Sequence, residues 1–420
     1  MRFIGPVSKQ LSVLIVGAGL LSGSAYGLSD QYETPPEQDP SSLLDGKENG
    51  PGYAVLSPVR SNGLMRNYEL QGDQGVEQIE GDGLLQHRLA EIRAFVALSN
   101  LKNDASFVDG LTEAAKKPAK FVESAITDPS GTAKNTVSGV GRMFGRLSKG
   151  VEAVVTGKGG SAGEIAASIT GQARARRELA VQLGVDPYTF DNALSEKLDE
   201  TAGVTTAGNW TVSAITALIP GGMIVNATRT ADNFRTVIID SSPAELQERT
   251  LAALRKALIS ETTISQISGN TFFTPSEKAV IAYRLQAMPS VGGLELIAEK
   301  IATADSREAA YYHLRQLVLL ENYNTNVSGL GQIRLVADTL VAIRRDGSAA
   351  IVLPLDMVAW TEATAQKFSV MQEEIDQLPF PPTGVDFLIT GDLTKMAAER
   401  ITSLGWDITG NFPMPEGPVQ

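Results

Sequence analysis

Not one cysteine occurs in the 420 residues. That single fact removes disulfides, thiolate zinc sites, iron–sulfur clusters and cysteine nucleophiles together. The fold must rest on its apolar core and its hydrogen bonds. Hydrophobic residues make up 43% of the chain, an ordinary supply for a globular protein.

The constraint sharpens because the chain opens like an exported one. "LSVLIVGAGLLSGSAYGLSD" admits two readings. Gly17 and Gly19 after Val13–Val16 could begin a dinucleotide-binding turn. The third glycine is one place late, at Gly23, and the polar, proline-bearing stretch 29–52 follows where a helix and second strand should be. The signal-peptide reading uses every part: Arg2 and Lys9, then the apolar run Leu11–Leu21, then Ala25-Tyr26-Gly27 with small residues at both recognition positions. Residues 1–27 are therefore expected to be a signal peptide cleaved after Gly27, delivering the protein to the periplasm or the medium. No dinucleotide or other cofactor is expected.

Removing that segment takes away two positive charges, so the formal charge moves from −12 to −14. An acidic surface repels nucleic acid phosphates, and no nucleic acid partner is expected. His87 and His313 are the two histidines, too few for a histidine metal site, and no metal is expected. His87 lies off the apolar face of its helix and reads as solvated. His313, beside Tyr311 and Tyr312, reads as packed at a helix interface.

The pattern along the chain gives an α+β protein, predominantly α-helical, with helical N-terminal and central regions and a small C-terminal α+β unit. Residues 28–52 read as a disordered linker, and 53–77 as a short β-hairpin region around Ser61-Asn62-Gly63. A helical region with a basic glycine-rich segment spans 78–200, and a helical domain 201–330. "SPAE" at 242–245 and "TPSE" at 274–277 each supply a capping hydroxyl, a first-turn proline and a glutamate at the third helical position. Asp305 reads as the cap of a further helix. Residues 331–420 read as a small α+β domain, β-β-α-β-α-β, with a hairpin at Asp346-Gly347.

Several motifs bear on chemistry. "GGSAG" at 159–163 has the nucleophile-elbow spacing around Ser161, which would make a serine hydrolase. An elbow needs several strands before it, the sequence upstream reads as one hairpin and helices, and "GKGGSAG" reads as a linker. Asp392, after the strand "VDFLIT", reads as a helix cap. Glu373, Glu374 and Asp376 read as a solvated helix end.

The charge map says more. Eleven Lys and Arg stand against four Asp and Glu between 116 and 177. Within 137–158, Arg142, Arg146 and Lys149 lie off an apolar stripe at helical spacing. A basic amphipathic helix of this kind suits an anionic membrane surface or an acidic protein partner, and a helix packed on the core with a solvated face gives the same pattern. The uncharged stretch 201–228 reads as a buried pair of segments turning at Pro220, with membrane insertion as the alternative.

"ELAVQLGVDPYTFDNAL" and the neighbouring basic glycine-rich stretch resemble exported bacterial proteins with no assigned activity. The resemblance implies export and nothing about chemistry. The expectation is an exported scaffold or interaction protein, non-enzymatic. A membrane-active protein using 137–158 and 201–228, and a hydrolase centred on Ser161, are the alternatives.

Overall fold

The computed structural model describes residues 31–73, 75–101, 162–207, 211–217 and 229–415. The fold is mixed α+β. Helix α1 (Pro40–Leu43) leads into five short strands: β1 (Asn49–Gly50), β2 (Tyr53–Val55), β3 (Arg60–Ser61), β4 (Arg66–Gly72) and β5 (Gly75–Glu80). They make one antiparallel sheet in which β4 pairs with β2 and β3 along one edge and with β5 along the other. Burial alternates along β4, with Arg66, Tyr68 and Leu70 inward and polar residues between them, as a half-buried strand requires.

Residues 31–52, read above as linker, carry α1 and β1 and lie against the rest of the molecule. Their bonds are made to residues distant in sequence, such as Gln38 to Val59 and Glu33 to Trp360. No local period could announce them. The helical pattern expected from about 78 begins instead at Asp82, because Gly81 turns the chain at φ 99°.

Helix α2 (Asp82–Asn100) serves two cores. Leu85 and Leu89 pack on Tyr53, Val55, Tyr68, Leu70 and Ile79 of the sheet. Further along, Ala94 and Leu98 pack on α3 (Ala162–Gln182), α4 (Asn192–Ala207) and α5 (Val212–Ala217) through Leu179, Leu183, Leu194, Leu198 and Ile215. Each such leucine contributes roughly 1.5–3 kcal/mol by leaving water. The described part of the uncharged stretch belongs to this core: Ala202, Val204, Val212 and Ile215 are buried. Residues 208–210 and 218–228 lie outside the described residues. No described helix is long and apolar enough to cross a membrane.

Helices α6 (Arg229–Asp240), α7 (Pro243–Lys256), α8 (Glu261–Gly269), α9 (Pro275–Gln286), α10 (Leu294–Ala302) and α11 (Arg307–Asn326) follow. Ser242 and Thr274 cap α7 and α9 with both halves of the capping box in place. Ser306 caps α11, one residue beyond the expected Asp305.

The C-terminal sheet has the order β12-β10-β8-β7-β6. Its strands are β6 (Leu330–Val336), β7 (Thr339–Arg344), β8 (Ala349–Leu353), β10 (Val385–Ile389) and β12 (Trp406–Thr409). Two-residue strands β9 (Met357–Val358) and β11 (Asp392–Leu393) pair beside it. Strands β8, β10 and β12 are parallel, linked through α12 (Glu362–Asp376) and α13 (Lys395–Ser403). Both faces are covered. Ala350, Val352 and Leu388 join the α7–α11 core, while Ile351, Phe387 and Ile389 pack with Phe368, Met371 and Ile401 of α12 and α13. This is why β8 is an unbroken apolar run instead of an alternation. Gly347 at φ 88° turns β7 into β8 as expected. Strand β6 was not foreseen. It pairs with β7 across Ala337 and Asp338, both at positive φ, the backbone that a two-residue hairpin needs but that neither residue advertises.

Candidate functional site

A gathering of buried ionisable groups lies where α2 meets α11 and the C-terminal unit. One end of this polar seam is built around Asp356. The residue follows β8, at the carboxyl end of the parallel strands, and is 1% exposed. Its Oδ2 accepts two backbone N–H groups, from Arg66 at 3.0 Å and Asp82 at 3.1 Å. Asp82 opens α2, whose cap Gly81 has no side chain to offer, so Asp356 does the capping from 274 residues away. Gly391 comes so close that a Cβ there would sit 1.8 Å from the Asp356 carbonyl oxygen. Bonds from Gly391 N to the Leu355 carbonyl and from Asp392 N to the Asp356 carbonyl fix that approach.

The Asp82 carboxylate receives Arg66 Nη1 at 2.5 Å and the Tyr68 hydroxyl at 2.6 Å. Arg66 Nε also donates to Gln38. Arg315 of α11 reaches over Gly83, where a Cβ would collide with its guanidinium. Burial, then the Asp82 charge, push the Asp356 carboxyl up to about 7; the two backbone donors and Arg315 pull the other way. Burial and the Asp82 charge likewise push the Tyr68 phenol well above its ordinary range.

The other end of the seam lies further along the same two helices. Glu91 accepts the Thr189 hydroxyl, Arg88 Nη1 at 3.2 Å and His87 Nε2 at 3.5 Å. Burial opposes its charge, yet the His87 contact, Thr189 and Arg88 together hold it at about 2. Arg88 further binds Asp191 at 2.5 Å and Glu77 at 3.0 Å. Arg307 grips fully buried Glu277 with two bonds, 2.7 and 2.9 Å. Its guanidinium stacks 5.1 Å from the Phe190 ring and 5.2 Å from that of Tyr311. Asp186 accepts the Thr274 hydroxyl at 2.5 Å and Tyr188 N at 2.8 Å; burial, then the Glu277 charge, raise its carboxyl. Arg307, Tyr311 and Arg315 follow one another at four-residue spacing, so one face of α11 supplies the cations and phenol that meet α2.

The residues singled out in the sequence fall elsewhere. Arg142, Arg146, Lys149 and the segment 137–158 lie outside the described residues, as does Ser161. His87 is half-buried instead of solvated, 12% exposed, with its ring 5.6 Å from Tyr311. An off-face position on α2 is still an interface position, because a second set of elements covers that side. His313 packs edge-on against Tyr312, and burial lowers it. Two positions from Tyr311, it projects from the opposite side of α11, so the two histidines do not share a site. Asp392 belongs to β11 and accepts from Asn411 at 2.7 Å; Thr394 is the cap of α13. Glu373, Glu374 and Asp376 are exposed at the end of α12, Glu374 accepting Ala337 N.

Asp82, Glu91, Asp186 and Asp356 were not singled out, and Glu277 was read only as the glutamate of the 274–277 cap. Asp356 did carry a signal, a lone charge inside the apolar run "AAIVLPLDMVAW". A buried apolar segment tolerates such a residue only when something distant satisfies it.

Chemically, the seam is a set of charges answered from within. Thr189 donates to Glu91 and accepts Asp191 N, so its hydroxyl is engaged on both sides. Among the described residues no group of three His, Asp or Glu side chains is placed to hold a metal ion. A shallow depression nearby is lined by Pro35, Ser61, Asn62, Thr361, Glu362 and Gln366, with one ionisable group. Comparison with family models, with curated proteins and with solved structures finds no match to this chain.

Proposed function

We infer that the protein is an exported, predominantly helical scaffold that binds another macromolecule and carries out no catalysis of its own. Export rests on residues 1–27. The observation that carries the rest is how the buried charges are used. Asp356 is taken up by two backbone amides, Asp82 by Arg66 and Tyr68, and Glu277 by Arg307. Groups so engaged fix the mutual arrangement of sheet, helices and C-terminal unit. A reacting acid or base must instead be open to substrate. The partner is a protein or surface with negative charge, and the contact is the basic segment holding Arg142, Arg146 and Lys149.

The test has two arms. Amino-terminal sequencing of the mature protein is expected to begin at Leu28. Binding to an envelope extract or to anionic vesicles is expected at low salt and lost at high salt, since exposed charges are screened over about 8 Å at physiological ionic strength. Reversing Arg142, Arg146 and Lys149 to glutamate is expected to abolish it with little loss of stability. Equal recovery of wild type and triple variant overturns the assignment of the contact. Labelling of Ser161 by a fluorophosphonate overturns the non-catalytic reading.

A further inference from the structure

The Asp82–Asp356 pair sits in the joint between two parts of the molecule that are far apart in sequence. On one side are β4 and the start of α2. On the other is the turn leaving β8. Backbone bonds cross the same joint, from Asp356 N and Met357 N to the Leu64 carbonyl and from Ala359 N to the Gly63 carbonyl. Asp356 Oδ2 adds the two bonds to Arg66 N and Asp82 N. The second carboxylate of the pair is therefore carried by the very residue whose amide the first one holds.

We propose that this pair is a proton-operated clasp. With one proton held by Asp356, its Oδ2 accepts both amides while the Asp82 charge is met by Arg66 and Tyr68. Loss of that proton places a second negative charge, almost without exposure to water, beside the first. The joint between the N-terminal sheet with α2 and the C-terminal unit then loosens.

The surroundings set the balance. Facing the pair are Arg66 and Tyr68 from β4, Asp82 from α2 and Arg315 from α11. Asp392, next to Gly391, turns its carboxylate to Asn411 instead. Arg66 is engaged with Asp82 and Gln38, so Arg315 is the cation left to act on Asp356, and burial with the Asp82 charge outweighs it. The Asp356 carboxyl stands at about 7, above its ordinary 3.8. A group raised on folding stabilises fully below its unfolded value, and that contribution is lost as pH rises through the folded value. The clasp is therefore tight in mild acid and slack above neutrality. If the protein is exported, it meets the external pH directly, but the device is intrinsic to the folded chain and is tested on purified protein.

Thermal unfolding and amide hydrogen exchange of the purified chain between pH 5.5 and 8.5 read it out. The expected result is a melting temperature that falls as pH rises from 5.5 and levels off near pH 7, with faster exchange at Arg66, Asp82 and Leu355–Ala359 above that break. Asp356→Asn mimics the protonated form, since its carbonyl can occupy the Oδ2 position and accept both amides. It is expected to flatten the fall. Asp82→Asn removes the like charge and is expected to move the break down by about one pH unit or more. A merely structural role would lower stability at every pH and leave the break in place. The proposal is overturned if the fall persists in Asp356→Asn or if the break is unmoved in Asp82→Asn. Should Asp356→Asn fail to fold, carbon NMR of the wild-type carboxyls decides: an Asp356 resonance titrating below pH 5 also overturns it.

Discussion

Arg307 and Glu277 show how much can depend on one side chain in this seam. Glu277 is fully buried and serves two masters. It completes the capping box of α9 by accepting Thr274 N at 2.9 Å, and it takes both arms of Arg307. Replacing Arg307 by alanine leaves the carboxylate in a low-dielectric site without its counter-ion. It also strips the Phe190 and Tyr311 rings of the cation lying on them. The expected loss is about 3–5 kcal/mol, the usual consequence of breaking a buried pair by removing one member. Arg307→Lys is expected to recover part of it, because an ammonium restores charge but not the fork. Urea denaturation of the three proteins checks the order. Equal stability of Ala and Lys variants would mean that the fork and the stacking, and not the charge alone, are what matter. Neither residue was legible as a partner of the other, since their types are common and 30 positions separate them.

Among the elements, the two capping boxes were readable from four letters each, because a cap is a local device: hydroxyl, proline and glutamate act within one turn. What the letters could not say is that the two caps live in different places. Ser242 is partly exposed and bonds within its own turn. Thr274 is buried and its hydroxyl also donates to Asp186, 88 residues earlier. Ser242→Ala is therefore expected to lower stability by about 1 kcal/mol, the ordinary worth of a cap. Thr274→Ala is expected to lower it by about 2–4 kcal/mol, since a buried polar group is left unsatisfied as well. Calorimetry of both variants tests the difference; equal shifts would show that the Asp186 bond contributes nothing. The same contrast of local and distant explains what else was legible. The Asp346-Gly347 hairpin, α12, β10, α13 and β12 follow from turn residues and periodicity within short windows. Strand β6 escaped because its turn is Ala337-Asp338. The seam escaped because α2, the 186–191 loop, α9, α11 and the β8–β9 turn meet only in three dimensions.

At the scale of the whole molecule, the two ends of the described chain are tied together. Glu33 donates its amide to the Trp360 carbonyl at 2.9 Å, and its carboxylate accepts Trp360 N at 2.6 Å and the Thr394 hydroxyl. Thr394 is itself the cap of α13, so the early arm meets the cap of one C-terminal helix and the residue just before the cap of another, Thr361 of α12. A stretch that composition marks as linker thus closes the structure, with part of its order supplied by residues more than three hundred positions away. Glu33→Ala is expected to loosen this closure and little else. Hydrogen exchange should quicken at the Trp360 and Ala397 amides, the second because Thr394 caps it. Exchange at Leu317 and Leu320, deep in the α7–α11 core, should not change. Uniform quickening everywhere would mean that the arm contributes to global stability and not to a local closure. Unchanged exchange at Trp360 would mean that the backbone bonds of the arm suffice without the carboxylate.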